Sequence, residues 1–457
     1  MTDNIVECRR VPRIEIKLPL TIQPVGISAR TIDLSEEGLS LTSKFSLPQP
    51  VSTIKVKLPN EIIDVEVKSI WVRHDKATNR HVTGLQFCSL TEESVLRLRK
   101  ALLKYEMRKL LRRAKDPSKQ MILNEFVTAN FFTLVAKLLS FQATRDFEAV
   151  YSLKTQEEIS KLSDEFVREG NRLESRIDDK IIVKQLKGIF RRLVGHWAFQ
   201  SEVMRRGFEK PNGYPGDYYL LELIYTNKPV SKTAFGIYFD GYFLNNPYAN
   251  AVRNRKDAMV RILWRSLSVA QRPMHILNIA SGSCRDIQDI CLDSSLNVKA
   301  QITFSCFDQD KRALDFSKQS LVNLPCHLRS KVMFKFIKGD VLNFSKQPNH
   351  FRGLFGHPDI IYSIGLADYL PDRVLRNVLK FCHEILAPEG QLVIAFKDKA
   401  QDEFAPIPPD WFCDWKFIPR TADDIRSVLE PCKFVNSTTN LEWEWSHKIL
   451  FVTVRKK

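Results

Sequence analysis

The sequence predicts a multidomain fold with an all-β barrel, a helical middle segment and a C-terminal α/β sheet that antiparallel strands close. Residues 8–88 contain short runs of alternating apolar and polar residues, separated by Pro, Gly or Asn, which is typical of a small barrel. Residues 119–267 carry apolar residues mainly at helical spacing. Between residues 276 and 396, apolar strands alternate with helix-like segments, which favours a parallel sheet with crossover helices. We therefore predict domains at residues 1–115, 116–267 and 268–457.

The composition is that of a soluble globular protein, with 44% hydrophobic and 27% charged residues among 457. No run of about 18 apolar residues occurs, so we predict no membrane-spanning helix. The first residues lack the apolar core of a secretion signal. None of the nine cysteines forms a Cys-x-x-Cys pair or joins His residues at metal-ligand spacing. We therefore expect reduced thiols, no metal site and a cytoplasmic protein.

The chain is strongly basic, with a net charge of +16 and a pI of about 9.4. This charge permits nucleic acid, anionic lipid or acidic small ligands as partners, but on its own it favours a solvated basic surface. Part of the excess lies between Arg97 and Lys115, where Glu106 is the one acidic residue. Residues 91–115 have helical spacing and could lie on a membrane surface, although a solvated connecting helix is favoured.

Two polar motifs mark the N-terminal barrel. Arg9, Arg10 and Arg13 precede the first strand, and Asp33-Leu-Ser35-Glu-Glu-Gly38 lies in a turn between strands. Together they match the pattern RxxxR plus DxSxxG of the PilZ domain, which this region resembles over about 90 residues.

The PilZ resemblance implies that this domain binds cyclic di-GMP, which carries two phosphates and two guanines. The arginine side chains would pair with phosphate and with guanine edges, because guanidinium is a planar fork of donors. Asp33 would accept guanine N–H groups, Ser35 would supply a hydroxyl, and Gly38 would permit a backbone conformation that other residues resist. The alternative is a basic N-terminal arm followed by an ordinary Asp-x-Ser turn.

The C-terminal domain is organised around residues 275–286, HILNIASGSCRD. An apolar strand that contains Asn278 stops in a turn of small residues, Ala280, Ser281, Gly282 and Ser283, before a polar segment that can begin a helix. Such a turn lets the backbone approach a ligand and directs helix N–H groups toward it.

Acidic residues follow the next strands in order. Asp308 ends the second strand, Gly339-Asp340-Val341 follows the third, and Asp368-Tyr369 follows the fourth. An acidic residue at the end of the second strand typically hydrogen-bonds a ribose. The whole stretch from residue 276 to 396 resembles the Rossmann-like class I S-adenosylmethionine (SAM)-dependent methyltransferases.

This resemblance implies a SAM site at the turn after the first strand. Ala280, Ser281 and Gly282 would approach the methionine part of SAM, and Asp308 would bind the ribose hydroxyls. Asp340, followed by Val341, would bind the adenine amino group. The site would also include Asn278, which replaces the family's acidic residue, and Arg285; of the family's glycines only Gly282 is kept.

Further elements resemble one bacterial methyltransferase branch, which is associated with 3-hydroxypalmitic acid methyl ester. These elements are GYxGDY, which contains Tyr214 and Asp217, VRNR, which contains Arg253 and Arg255, and the ASGxxRD and GLxDYL motifs. The tyrosine-rich loop at residues 210–225 could form a lid over the cofactor, or it could be a helix–helix turn whose tyrosines simply pack.

The identity of the methyl acceptor decides which side chains are required. A fatty carboxylate is already ionised, so it needs an orienting cation, for which Arg253, Arg255 and Arg285 are candidates. A hydroxyl or amine acceptor would need a base, for which Asp368 or Asp217 is the candidate. Tyr369 is expected to face the acceptor, with Tyr214 at the rim.

Three functions are consistent with these residues. The first is a cyclic di-GMP-responsive methyltransferase that acts on a small molecule, with carboxyl O-methylation of a fatty or hydroxy-fatty acid as the expected reaction. The second is a non-catalytic cyclic di-GMP effector in which a degenerate SAM fold serves as an interaction surface, which the altered glycine motif supports. The third is an RNA methyltransferase, which only the charge favours.

Overall fold

The computed structural model describes residues 14–23, 26–35, 38–47, 53–58, 61–144, 151–322, 325–399, 407–432, 434 and 438–456. The chain divides into two compact units. The first unit comprises Met1–Val135 and Leu173–His196, and the second comprises Ala136–Arg172 and Trp197–Lys457. Each unit contains part of the helical middle segment.

A closed antiparallel barrel dominates the first unit. Its strands are β1 (Ile14–Glu15), β2 (Pro19–Gln23), β3 (Ile27–Leu34), β4 (Gly38–Ser43), β5 (Thr53–Leu58), β6 (Glu61–Asp75) and β7 (Arg80–Ser89). Six strands pair in the order β3-β2-β5-β6-β7-β4, and β4 returns to β3, while the short β1 pairs with β3. Closure leaves these six strands without a free edge, which confirms the predicted all-β barrel.

Alternation of apolar and polar residues builds the barrel wall. In β5, Ile54, Val56 and Leu58 are buried, whereas Lys55 and Lys57 between them are exposed. Successive side chains of a strand point to opposite faces. The apolar set therefore fills the interior, as the period-two pattern of the sequence predicts.

Along the chain, a series of helices lies between the barrel and the strands of the C-terminal sheet. They are α1 (Glu92–Arg113), α2 (Pro117–Phe126), a π-helical turn (Val127–Phe131), α3 (Phe132–Gln142), α4 (Leu153–Ile177), α5 (Lys180–Ala198), α6 (Glu202–Glu209), α7 (Tyr218–Thr226), α8 (Ala234–Asn245) and α9 (Pro247–Ser268). Several begin at a side chain that caps the first backbone N–H groups. These caps are Thr91, Asp116, Ser201, Asp217, Thr233 and Asn246. Side-chain caps of this kind satisfy donors that the helix itself leaves unpaired.

One helical stretch departs from the expectation drawn from the sequence. Pro117–Gln142 is long and apolar enough, by length and composition, to cross a membrane, and 39% of its apolar 18-residue stretch is buried. The expectation required an unbroken apolar run, whereas this stretch mixes Thr, Asn, Ser and Lys with apolar residues. Core helices of soluble proteins have the same length and composition, so this property alone does not assign the helix to a membrane.

A seven-stranded mixed sheet forms the centre of the second unit. Its strands are β8 (Met274–Ile279), β9 (Ile302–Asp308), β10 (Val332–Lys338), β11 (Ile360–Ser363), β12 (Gln391–Lys397), β13 (Thr438–Trp443) and β14 (Ile449–Arg455). The order is β10-β9-β8-β11-β12-β14-β13. The first five strands are parallel, whereas β14 and β13 are antiparallel. This confirms the predicted Rossmann-like sheet with antiparallel closing strands.

Helices cover both faces of this sheet. Those that follow the first strand are α10 (Arg285–Leu292), α11 (Lys311–Ser320), α12 (Cys326–Arg329), α13 (Pro348–Phe355), α14 (Asp372–Ile385), α15 (Pro408–Cys413) and α16 (Ala422–Leu429). Each face of the sheet packs against its own apolar cluster: Ile276 of β8 belongs to one cluster, and the adjacent Leu277 belongs to the other. Both faces of the parallel strands are therefore apolar.

The strand order places a crevice between β8 and β11. From β8 the chain adds β9 on one side, and β11 later pairs on the other side. In sheets of this kind, ligands bind beyond the carboxyl ends of the strands, where the order reverses. We therefore expect a ligand site among the residues that follow β8 and β11.

Candidate functional site

A cavity of about 270 Å³ lies at the predicted crevice. Its walls come from the carboxyl ends of four parallel strands, from α7 and from the segment before α7. The lining residues are Tyr214, Pro215, Gly216, Tyr218, Leu221, Ala280, Gly282, Phe307, Asp308, Gln309, Gly339, Asp340, Val341, Leu342, Gly365, Leu366, Tyr369 and Leu370. Residues predicted for both the cofactor and the acceptor therefore surround a single space.

The turn after β8 has an alternating left-handed backbone. Ala280, Gly282 and Cys284 have φ values of +55°, +55° and +51°. Non-glycine residues rarely adopt this conformation, and they persist in it where the surrounding structure over-determines it, which is common at functional sites. The turn directs the Gly282 N–H to Oδ2 of Asp308, at 2.8 Å.

Asp308 is the acidic residue at the end of β9, and it is 6% exposed. Its Oδ2 accepts the Gly282 N–H, and its Oδ1 accepts the Asp310 N–H at 2.9 Å. Burial raises the pKa of this carboxyl, while the backbone hydrogen bonds oppose that shift. An ionised carboxylate offers about four acceptor positions, so the cavity-lining Asp308 can also accept ligand hydroxyls.

The end of β10 contributes a close backbone approach. A Cβ on Gly339 would lie 2.5 Å from the Phe307 ring, so this position requires glycine. Asp340 follows, and its Oδ1 accepts the Leu342 N–H at 2.8 Å. This bond fixes Asp340 at the cavity wall beside Val341, where the sequence predicts the adenine end of the cofactor.

The tyrosine-rich segment before α7 covers the cavity. The Tyr214 hydroxyl donates to Oδ2 of Asp310 at 3.1 Å, and the Asn212 side chain donates to the same oxygen at 2.8 Å. Burial, together with nearby carboxylates, raises the pKa of Tyr214. Gly216 allows close packing, since a Cβ there would lie 2.6 Å from the Trp415 ring. The segment is both a helix–helix turn and part of the cavity wall.

Seven residues predicted for acceptor or cofactor binding, Arg255 and Asp368 among them, do not line the cavity, and three of the seven make other contacts. Both oxygens of Asp217 accept from the Arg206 guanidinium, at 2.9 and 2.7 Å, and Asp217 also caps α7. Arg253 donates to two backbone carbonyl oxygens, at 3.2 and 3.0 Å, near the ends of α7 and α8. Arg285 pairs with Glu222 at 3.3 Å. These side chains therefore hold helices together.

Asn278 and Ser281 also lie outside the lining. Asn278 is buried in β8, opposite Cys306 in β9 and Tyr362 in β11. The Ser281 N–H donates to the Phe307 carbonyl oxygen at 3.1 Å. The part of this turn that lines the cavity therefore comes from Ala280 and Gly282.

Arg255, Asp368 and Tyr369 cluster beyond β11. The buried Arg255 guanidinium lies beside Gly365. A Cβ on residue 365 would lie 3.7 Å from Nη2 of Arg255. Oδ1 of Asp368 accepts the Lys397 backbone N–H at 2.8 Å, and burial raises the pKa of Asp368. Tyr369 lines the cavity, and its hydroxyl accepts from Nε1 of Trp415 at 2.9 Å.

Sequence reasoning missed two buried cations of this cluster. Arg420 donates to the carbonyl oxygens of Ala367 and Leu370, at 2.8 and 2.6 Å, and so holds the loop that carries Tyr369. No local pattern marked Arg420. Lys397 is the last residue of β12, so the strand-end rule that selected Asp308 could have selected it as well.

In the barrel, the predicted ligand residues lie at the turn between β3 and β4. Oδ1 of Asp33 accepts the Ser40 N–H at 2.9 Å, and both the N–H and the hydroxyl of Ser35 donate to the Gly38 carbonyl oxygen, at 2.8 and 3.1 Å. A Cβ on Gly38 would lie 2.2 Å from the Leu85 carbonyl oxygen, so this position requires glycine. The predicted Arg9, Arg10 and Arg13 lie outside the described residues.

Comparison with known proteins identifies the barrel. Residues 7–104 match the PilZ domain family, and no curated protein matches the chain. A possible exported protein from Bordetella parapertussis is similar in structure: it is 18% identical, with 78% of this chain and 96% of that chain covered, at a TM-score of 0.40.

Two methyltransferases are similar in structure to part of the chain. The N-methyltransferase NodS from Bradyrhizobium japonicum is 16% identical, with 46% of this chain and 98% of that chain covered, at a TM-score of 0.30. The glycopeptide N-methyltransferase MtfA is 14% identical, with 45% and 94% covered, at a TM-score of 0.33. These values are too low to transfer an activity. The N-terminal barrel thus matches the PilZ domain family, and the C-terminal sheet has the Rossmann-like fold that its sequence predicts.

Proposed function

We propose that this protein is a cyclic di-GMP-responsive, SAM-dependent methyltransferase that acts on a small acid. The observation that carries the proposal is the single cavity in which the Gly282 turn, Asp308 and Asp340 converge at the reversal of strand order. Ligands of Rossmann-like folds bind at this position.

The cavity residues fit the cofactor. Glycine at 339 lets the Phe307 ring, which also lines the cavity, pack directly against the backbone beside Asp340. Asp308 has an oxygen for each of two neighbouring ribose hydroxyls. The turn at Ala280 and Gly282 would hold the methionine part, and Asp340 would hold the adenine.

When bound, SAM supplies an activated methyl group on a sulfonium. The protein then has to hold the nucleophile in line with that methyl group and exclude water. Tyr214, fixed by its hydrogen bond to Asp310, and the apolar side chains of Leu221, Leu366 and Leu370 would form the water-excluding wall.

For the acceptor, we infer a fatty or hydroxy-fatty carboxylate that is methylated on oxygen. The apolar part of the cavity wall suits an alkyl chain. A buried carboxylate needs a cationic partner. Of the three predicted arginines, Arg253 and Arg285 are engaged in holding helices, whereas Arg255 lies beside Gly365 of the cavity wall.

For the barrel, we infer cyclic di-GMP as the ligand. The intact Asp33, Ser35 and Gly38 turn supports this, together with the match of residues 7–104 to the PilZ family. Arg9, Arg10 and Arg13 would supply the phosphate and guanine contacts, because arginine binds both groups through paired N–H donors.

The activity is tested with methyl-labelled SAM, a bacterial lipid extract and cyclic di-GMP. Mild base should release the label as methanol, because methyl esters hydrolyse under conditions that leave ethers and methylated amines intact. Label that survives base, or that travels with RNA, would contradict the proposed acceptor. If calorimetry shows no SAM binding with or without cyclic di-GMP, the protein is instead a non-catalytic effector.

A further inference from the structure

A buried lysine lies next to the candidate acceptor region. Lys397, the last residue of β12, is 5% exposed. Its Nζ lies 3.8 Å from the ring centroid of Tyr248 and 3.8 Å from that of Phe417. Among the described residues, Nζ makes neither a hydrogen bond nor an ion pair. An ammonium has three N–H donors, so an acceptor other than the described side chains, either water or a ligand, has to pair with them.

Aromatic side chains connect this lysine to the cavity. The Phe417 ring lies 5.7 Å from the ring of Tyr369 and 5.3 Å from that of Trp415. Tyr369 lines the cavity, and its hydroxyl is held by Trp415. Phe417 therefore contacts both the Lys397 ammonium and the cavity-lining Tyr369, and the faces of such rings favour a cation over a neutral amine.

Several charged groups face Lys397 from the elements that pack on it. Burial is the largest influence and lowers its pKa to about 7. The negative charges of Asp368 and of Asp410, which lies in α15, raise the pKa of Lys397. The positive charges of Lys448 and of Arg255, which lies in α9, lower it further. Near neutral pH both the ammonium and the amine are populated, and an anion beside Nζ would select the ammonium.

We propose that Nζ of Lys397, between the rings of Tyr248 and Phe417, is the subsite that binds the carboxylate of the methyl acceptor. This inference rests on the proposed methyl transfer and names the group that recognises the acid. A carboxylate would supply the acceptor atoms that the three N–H groups lack, and its charge would offset the cost of burying the ammonium.

Methyl transfer to a carboxylate requires no general base. A carboxylate oxygen donates an electron pair to the methyl carbon, so that an O–C bond forms. The C–S bond breaks and its electron pair stays on sulfur, which turns the sulfonium into a neutral thioether. No proton is transferred, so Lys397 contributes as an orienting cation. Lys397 is thus a second cation beside Arg255, which is the one predicted arginine next to the cavity wall, because Arg253 and Arg285 already hold helices together.

The test measures equilibrium binding of 3-hydroxypalmitate to the full chain in the presence of S-adenosylhomocysteine. Lys397→Met should weaken binding of the acid by about tenfold or more, because a charge-assisted hydrogen bond is lost. The neutral primary amide of the same acid should bind wild type and variant equally. Lys448→Met is the matched control, because Lys448 lies over the same Tyr248 ring at 5.4 Å; it should leave acid binding unchanged within about twofold.

The pH dependence separates this role from a structural one. The acid stays ionised above pH 6, so its affinity for wild type should be constant up to about pH 7. Above that pH the affinity should fall, by at most about tenfold per pH unit, as Nζ loses its proton. Lys397→Arg keeps its charge throughout, so any acid binding that it retains should not vary between pH 6 and 9.

Equal acid affinities in wild type and Lys397→Met would overturn the subsite, and so would a wild type that binds SAM but no acid. A wild-type affinity for the acid that stays flat from pH 6 to 9 would overturn it as well. Failure of the proposed function looks different, because the protein would then not bind SAM. Acid binding that still depends on Lys397 in that case would support the subsite alone.

Discussion

The two candidate sites differ in how their residues are distributed along the chain. In the barrel, every predicted ligand residue lies between Arg9 and Gly38, and Ser35 bonds directly to Gly38 in one turn. In the sheet, the cavity joins segments from Tyr214 to Leu370, and its central bond joins Gly282 to Asp308, 26 residues away. A contiguous motif specifies its own geometry, whereas a dispersed site depends on strand order.

The largest expected effect concerns the dispersed site and the burial of Lys397. A lysine whose folded pKa is lowered costs stability below that pKa, and the cost disappears as the pH rises through its unfolded value of 10.5. Wild type should therefore gain up to about 1.4 kcal/mol per pH unit from this group between pH 7 and 10. Lys397→Met should lack that gain.

Thermal unfolding of the full chain at pH 7 and pH 10 measures this difference. Lys399→Met is the control, because Lys399 is exposed and lies two residues further along; it should shift the midpoint equally at both pH values. The same shift at both pH values in Lys397→Met would mean that Lys397 is not destabilised by burial.

The next effect concerns the contiguous site. Gly38→Val should destabilise the barrel by about 1–3 kcal/mol, because a Cβ at this position would lie 2.2 Å from the Leu85 carbonyl oxygen. Unfolding midpoints measure it, with Gly353→Ala as a control where a Cβ meets nothing within 4 Å. A fully stable Gly38→Val variant would show that the turn does not need this close approach.

Asp308→Ala tests the bond that assembles the dispersed site. Hydrogen bonds to charged groups contribute about 1.5–3 kcal/mol, so SAM binding measured by calorimetry should weaken by roughly tenfold to a hundredfold. Asp315→Ala, an exposed position on the following helix, should bind SAM as wild type does. Unchanged binding in Asp308→Ala would remove the cofactor from this cavity.

The smallest effect is expected for Arg13→Ala in the contiguous motif. Loss of one charge-assisted contact should weaken cyclic di-GMP binding by about tenfold, because the neighbouring arginines remain. Arg30→Ala, at an exposed position of β3, is the matched control for the loss of one positive charge. Equal affinity in the two variants would exclude Arg13 from the ligand site.

The barrel, the mixed sheet and the strand ends at which the cavity lies could all be predicted from local patterns in the sequence. Alternating residues such as Ile54, Val56 and Leu58 encode a strand face locally. A turn of small residues after an apolar strand likewise encodes the approach at Gly282. Periodicity and turn chemistry act between near neighbours, so they can be read without the fold.

Which polar side chains line the cavity depends on contacts between residues that are far apart in the sequence. Asp217 and Arg253 have the chemistry of acceptor-binding residues. However, Asp217 is paired with Arg206, and Arg253 donates to two carbonyl groups near helix ends. Lys397 ends a strand and precedes Asp398, as a surface charge would, yet its Nζ lies over the rings of Tyr248 and Phe417. Such partners are distant in sequence and are selected by strand order and helix packing, so no local pattern encodes them.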